Sequence, residues 1–165
     1  MDMVRSLVPL VVVILVIVWL SSPDDVDPVR DVDPGPTLAY AATVANFDVL
    51  AARRLPDGWR ATSARVDPPA AQEGDAVTVT VGYVTPSEEF AEVVQGSGAE
   101  GQLLVDVLGE EYTASDVSVD GWRVAETAGG ELALLHVADG SNVIVTGSAD
   151  EIELRVLADS LRPGV

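Results

Sequence analysis

The stretch Thr113–Thr146, TASDVSVDGWRVAETAGGELALLHVADGSNVIVT, decides the fold. It divides into four β-prone runs, Thr113–Val119, Trp122–Glu126, Glu131–Val137 and Asn142–Thr146. Asp120-Gly121, Gly129-Gly130 and Asp139-Gly140 separate them. Asp-Gly and Gly-Gly tolerate the positive φ angles of tight hairpin turns, so each break signals a hairpin. Strands joined by hairpins pair antiparallel. A parallel sheet needs a long crossover, usually a helix, between partners, and few strands here alternate with long helices.

Toward the N-terminus, Ala76–Thr85 (AVTVTVGYVT) is the clearest strand, with Val77, Val79 and Val81 alternating with Thr78, Thr80 and Gly82. Pro86-Ser87 makes a turn, and Glu88–Gln95 reads as a strand antiparallel to it or as a short helix. Leu55-Pro56-Asp57-Gly58 is a turn that opens a strand over Trp59–Val66. Three segments read as helices: Ala-rich Thr37–Phe47, Ala99–Leu108 with Gly109 as its stop, and a closing helix. In the closing helix Ser148 and Glu151 fit a capping box, Ile152, Val156, Leu157 and Leu161 form an apolar stripe, and Pro163-Gly164 ends it. The expected domain is α+β and two-layered, a mostly antiparallel sheet of about six to seven strands with helices covering one face.

A different pattern precedes it. Leu7–Leu20 (LVPLVVVILVIVWL) carries no polar side chain. As a helix this run rises only ~21 Å, but extending it from Met3 to Ser22 gives about 20 residues, enough to span a bilayer with Arg5 snorkelling to the interface. A cleaved signal peptide is the competing reading. Its cut needs small residues at two specificity positions, and Trp19-Leu20-Ser21 and Leu20-Ser21-Ser22 each begin with a bulky one. The run therefore reads as one N-terminal transmembrane anchor. Arg5 lies before it, and Asp24, Asp25, Asp27, Asp31 and Asp33 follow it, which sets the N-terminus in the cytoplasm and the rest of the chain outside. Pro23, Pro28, Pro34 and Pro36 lie among those aspartates and favour an extended tether. The expected organisation is a short cytoplasmic head and anchor over residues 1–22, an acidic Pro-rich linker over 23–36, and an extracytoplasmic domain over 37–165. The Asp cluster lacks the glycine and closing glutamate of an EF-hand, and no metal is expected there.

Of 165 residues 48% are apolar, which supports a packed core. The net charge is −18, and all nine basic residues are arginine, a usage typical of GC-rich coding. So acidic a chain repels nucleic-acid phosphates, and its scattered arginines form no basic stripe, which excludes nucleic acid as a partner. Cysteine is absent, which excludes disulfides, thiol catalysis and thiolate metal sites.

Asp-Gly-Trp-Arg occurs twice, at Asp57–Arg60 and Asp120–Arg123. Either Trp59 and Trp122 line a shared ligand pocket, or Asp-Gly is ordinary turn chemistry and the indole fills the first core position of a strand. His136, the single histidine, has no G-x-S-x-G elbow or second metal ligand near it in the sequence, and reads as structural. Gly96, Gly98 and Gly101 follow the nucleotide-loop spacing only loosely.

Taken in order, the anchor, the Pro/Asp tether, LPDGWRATS (Leu55–Ser63), VGYVTP (Val81–Pro86), DGWR (Asp120–Arg123) and VIVTGSADEIEL (Val143–Leu154) resemble the actinobacterial domain of unknown function 4245 family. That resemblance implies an uncharacterised single-pass protein of the cell membrane and supplies no activity, cofactor or catalytic residue. The function expected is non-enzymatic, a tethered domain that binds an envelope protein or glycan. The alternatives are a carrier or sensor of a small apolar ligand, held near Trp59 and Trp122, and an envelope hydrolase.

Overall fold

A computed structural model describes residues 30–138 and 140–164. The run Leu7–Leu20 and the first half of the tether lie outside them, and among the described residues no helix is long and apolar enough to cross a membrane. Helix α1 spans Gly35–Val44, α2 Glu100–Leu108 and α3 Glu151–Ser160. Strands β2 (Arg60–Asp67), β3 (Thr78–Val84), β4 (Phe90–Gly96), β5 (Tyr112–Val119), β6 (Trp122–Thr127), β7 (Leu132–Ala138) and β8 (Ser141–Gly147) form one sheet in the order β2-β3-β4-β8-β7-β6-β5. Every neighbouring pair is antiparallel. The α+β class and the antiparallel sheet expected from the sequence are therefore present, and Glu88–Gln95 contributes a strand rather than a helix.

Two short strands that no sequence pattern marks, β1 (Leu50–Ala52) and β9 (Leu161–Pro163), pair into a separate ribbon. Each has three residues, too few for alternation to register. The ribbon is extended at both ends, by Arg53 N–H donating to Ser160 O at 3.0 Å and Gly164 N–H donating to Val49 O at 3.3 Å.

The two faces of the sheet differ in chemistry. Across one, the row Ala64, Val81, Val93, Val145, Leu134, Val124 is apolar from β2 to β6. Leu38, Ala41 and Val44 of α1 share its core with Leu154, Leu157 and Ala158 of α3 and with Val49, Ala51 and Leu161 around the ribbon. Across the other face, the row Arg65, Thr80, Val94, Ile144, Leu135, Arg123 is apolar only in its middle. There α2 packs Leu103, Leu104 and Leu108 on Val94, Ile144, Leu135, Ala125 and Ala133. The helices thus cover both faces rather than one. Strands buried on both sides lose strict alternation and read as continuous apolar runs, as in Leu132–Leu135 and Val143–Val145.

Three local expectations change. The cap of α3 is Asp150, whose carboxylate accepts from Glu153 N at 2.9 Å, instead of Ser148. Ser148 serves the β3–β4 hairpin: its hydroxyl accepts from Phe90 N at 3.0 Å and donates to Glu89 at 2.6 Å. The apolar stripe accordingly runs Leu154, Leu157, Ala158, Leu161, and Ile152 is 74% exposed. Finally, α3 ends at Ser160, and β9 intervenes before Gly164. At the other terminus the folded unit takes in Asp31 to Pro36, ahead of Thr37. Val32 N–H donates to Ala61 O on the edge strand β2 at 2.8 Å, and Asp33 accepts from Gly35 N at 2.9 Å.

These assignments make a paired prediction. Leu154→Ala should lower the free energy of chemical unfolding by about 2–5 kcal/mol, because Leu154 is fully buried. Ile152→Ala should change it by less than about 0.5 kcal/mol. The reverse order would restore the stripe centred on Ile152.

Candidate functional site

The β5–β6 hairpin closes through Asp120 at φ 53° and Gly121 at φ 84°. Positive φ at both central residues is the turn geometry that matches strand twist, and glycine adopts it without strain. The turn points Gly121 O at the His136 ring, whose Nδ1 lies 2.8 Å away. A carbonyl only accepts, so Nδ1 carries the proton, which leaves Nε2 of the neutral ring as an acceptor. Trp122 follows on the core face, 8% exposed, with its ring centroid 5.0 Å from that of His136 and the planes tilted by 36°.

The β1–β9 ribbon faces this pair. Between them lies a cleft of about 460 Å³, walled on the sheet side by Asp120, Trp122 and His136. Leu50, Leu161 and Arg162 line its ribbon side, with Asp48 and Asp159 beside them. The volume falls within the ~300–1,000 Å³ typical of small-ligand sites. Three carboxylates and one guanidinium thus surround an indole–imidazole pair, a set that offers apolar stacking at the base and hydrogen-bond partners at the rim. Among the described residues no serine lines the cleft. Ser141, bonded to Gln95, is buried, donates to Ala138 O at 2.9 Å and accepts from Gln95 at 2.8 Å. Among the described residues no group of three or more His, Asp or Glu side chains is arranged to hold a metal ion.

The ribbon wall depends on Gln95, the fully buried last polar residue on the core face of β4. Its Nε2 donates to Asp48 O and to Ser141 Oγ, both at 2.8 Å, and its Oε1 accepts from Leu50 N at 2.9 Å. Sequence reasoning passed over Gln95 because a lone glutamine at a strand end carries no pattern.

Trp59 is elsewhere. It precedes β2, the opposite side of the sheet, and β3, β4, β8 and β7 separate β2 from β6. Its ring meets Tyr83 edge-on at 6.3 Å, and burial pushes the Tyr83 phenol up to about 12. The two Asp-Gly-Trp-Arg segments thus place their indoles in separate surroundings, and only Trp122 lines the cleft. The glycine-rich segment before α2 is held by Asn142, whose Nδ2 donates to Gly98 O at 2.8 Å.

One carboxylate with a shifted pKa lies on the α2 face. Burial raises Glu92 above the ordinary carboxylate value, and the Arg65 charge acts in the opposite direction. The folded state therefore holds this proton more tightly than the unfolded chain does. Stability from this group is greatest below the unfolded value and falls as pH rises through the folded one. Glu92→Gln should raise the melting temperature at pH 7, and the gain should vanish toward pH ~4. A gain that grew on acidification would contradict the assignment.

A family model described as "Protein of unknown function (DUF4245)" matches residues 1–161. The comparison with curated proteins returns no match. With the match running from the first residue into β9, the chain belongs to the DUF4245 family.

Proposed function

We propose that the chain is a non-enzymatic binding domain, held outside the cytoplasm by an uncleaved N-terminal anchor, that engages a protein or glycan of the cell envelope through the Trp122–His136 cleft. The observation that carries this reading is the cleft itself, in which a tilted indole–imidazole pair meets a rim of carboxylates. Such a combination suits a polar partner with an apolar face, to which the indole and imidazole offer contact and the aspartates accept hydrogen bonds. His136 is oriented by a backbone carbonyl, and among the described residues no serine stands in the cleft beside it, so the groups present favour binding over acyl transfer. The anchor is supported by the apolar run Leu7–Leu20, and the outside orientation by Arg5 before it and the aspartates after it. Leu50 and Leu161 in the walls favour, as a second reading, a small ligand of largely apolar character.

Because cysteine is absent, one introduced thiol reports topology cleanly. Thr113→Cys, on an exposed position of β5, should react with a membrane-impermeant maleimide in intact cells. Reaction only after lysis would place the domain in the cytoplasm. For binding, the full chain should sediment with purified envelope glycan or with envelope proteins, and Asp48→Arg with Asp120→Arg should weaken this at least about fivefold. Both substitutions lie on the exposed rim. Equal sedimentation of this variant would remove the cleft from the interaction.

A further inference from the structure

In so acidic a chain each arginine is expected to find a carboxylate, and among the described residues four do: Arg60 pairs with Asp31, Arg65 with Asp67, Arg123 with Glu100 and Arg155 with Glu151. Arg53, Arg54 and Arg162 are in no ion pair among the described residues, and all three line one pocket of about 590 Å³ beside the C-terminal end of α3. Among the described residues Asp159 is the only acid in its lining. A local excess of positive charge therefore stands within a chain of net charge −18.

The backbone brings these cations together. Successive residues of a strand point to opposite sides, so Arg53 and Arg54 would diverge if β1 simply continued. Arg54 instead takes φ 58°, a left-handed conformation uncommon for a residue with a side chain, and both arginines line the same cavity. A sparsely populated conformation at a pocket is a recurrent mark of a site. Capping the carbonyls at the end of α3 explains only part of the cluster. Arg162 Nη1 donates to Asp159 O at 2.8 Å and Leu161 O at 2.6 Å, and Arg53 Nη2 donates to Gly164 O. A guanidinium has five donors, so most on these two arginines, and all on Arg54, are left over among the described residues.

We propose that this pocket is an oxyanion site for a ligand bearing a phosphate group. Phosphate offers several charged oxygens to forked guanidinium donors, which suits three converging arginines better than one carboxylate would. The pocket is larger than inorganic phosphate requires, and Pro56 and Val156 give it an apolar wall, so the phosphate is one carried by an organic group. The net negative charge of the chain repels such an anion at a distance, and recognition acts at short range, where binding should weaken steeply with salt.

The test uses the full chain in a neutral maltoside detergent. Glycerol phosphate is titrated in solution by calorimetry, and in a second arm micelles are doped with phosphatidylglycerol or with uncharged diacylglycerol and the melting temperature is read. Saturable binding of glycerol phosphate, or a rise in melting temperature with phosphatidylglycerol alone, is expected. The first outcome identifies a soluble phosphoryl compound as sufficient and the second a lipid headgroup. Arg54→Gln should weaken either response at least tenfold, Arg54→Gln with Arg162→Gln should abolish it, and Arg155→Gln should leave it intact. No response in either arm, or an equal response from Arg54→Gln, would overturn the proposal. Arg54 lines this pocket and not the Trp122–His136 cleft, so Arg54→Gln tests the two sites separately, whereas Arg162 borders both.

Discussion

The side-chain amide of Gln95 joins the two β assemblies of the fold. It lies on β4, next to the centre of the seven-stranded sheet, and reaches across the core to the strand that leads into the ribbon. A buried amide without partners costs ~1–3 kcal/mol, so this position is stable because both N–H donors and the oxygen find partners. In turn it fixes Asp48 and Leu50, and through the β1–β9 pairing it fixes Leu161 and Arg162. One wall of the Trp122–His136 cleft and the arginines of the adjoining pocket are carried on that ribbon or beside it. The glutamine thus acts on both cavities without lining either.

The division of the sheet into an apolar face and a mixed face sets what the helices do. A continuous apolar row needs a continuous cover, which α1, α3 and the ribbon supply. The mixed face needs cover only over β4, β8, β7 and β6, and α2 is just long enough to provide it. Beyond that cover the row runs through the buried Thr80 to Arg65, which pairs with Asp67, on one side and ends in Arg123 on the other. Arg123 pairs with Glu100 in the first turn of α2, tying the helix to the sheet it covers.

Much of this was legible in the sequence, for identifiable reasons. Hairpin chemistry at Asp120-Gly121 and alternation in Ala76–Thr85 are local signals, and the strands they indicate are present. The pairing of β4 with β8 was not legible, because α2 and a three-hairpin meander lie between them and no turn specifies that register. The cap of α3 was misplaced because Ser148-x-x-Glu151 and Asp150-x-x-Glu153 both fit the same spacing, and only the Phe90 amide shows which one the hairpin claims. Ile152 followed from that shift. Of the candidate site, His136 and Trp122 were visible as residues but not as neighbours, since β6–β7 register brings them together. The arginine pocket was invisible: Arg53 and Arg54 follow a strand of three residues, too short for alternation to register.

The dependence of the ribbon on Gln95 is open to direct measurement by amide hydrogen exchange in Gln95→Leu. Leu50, Arg53 and Gly164 report the ribbon, and Val81 and Val93 report the sheet. If Gln95 holds the ribbon in place, exchange at the first three should accelerate at least tenfold relative to the sheet amides, as a local opening below the global one. Equal acceleration at all five positions, or none, would contradict a specific role for Gln95 and leave the ribbon held by its apolar contacts alone.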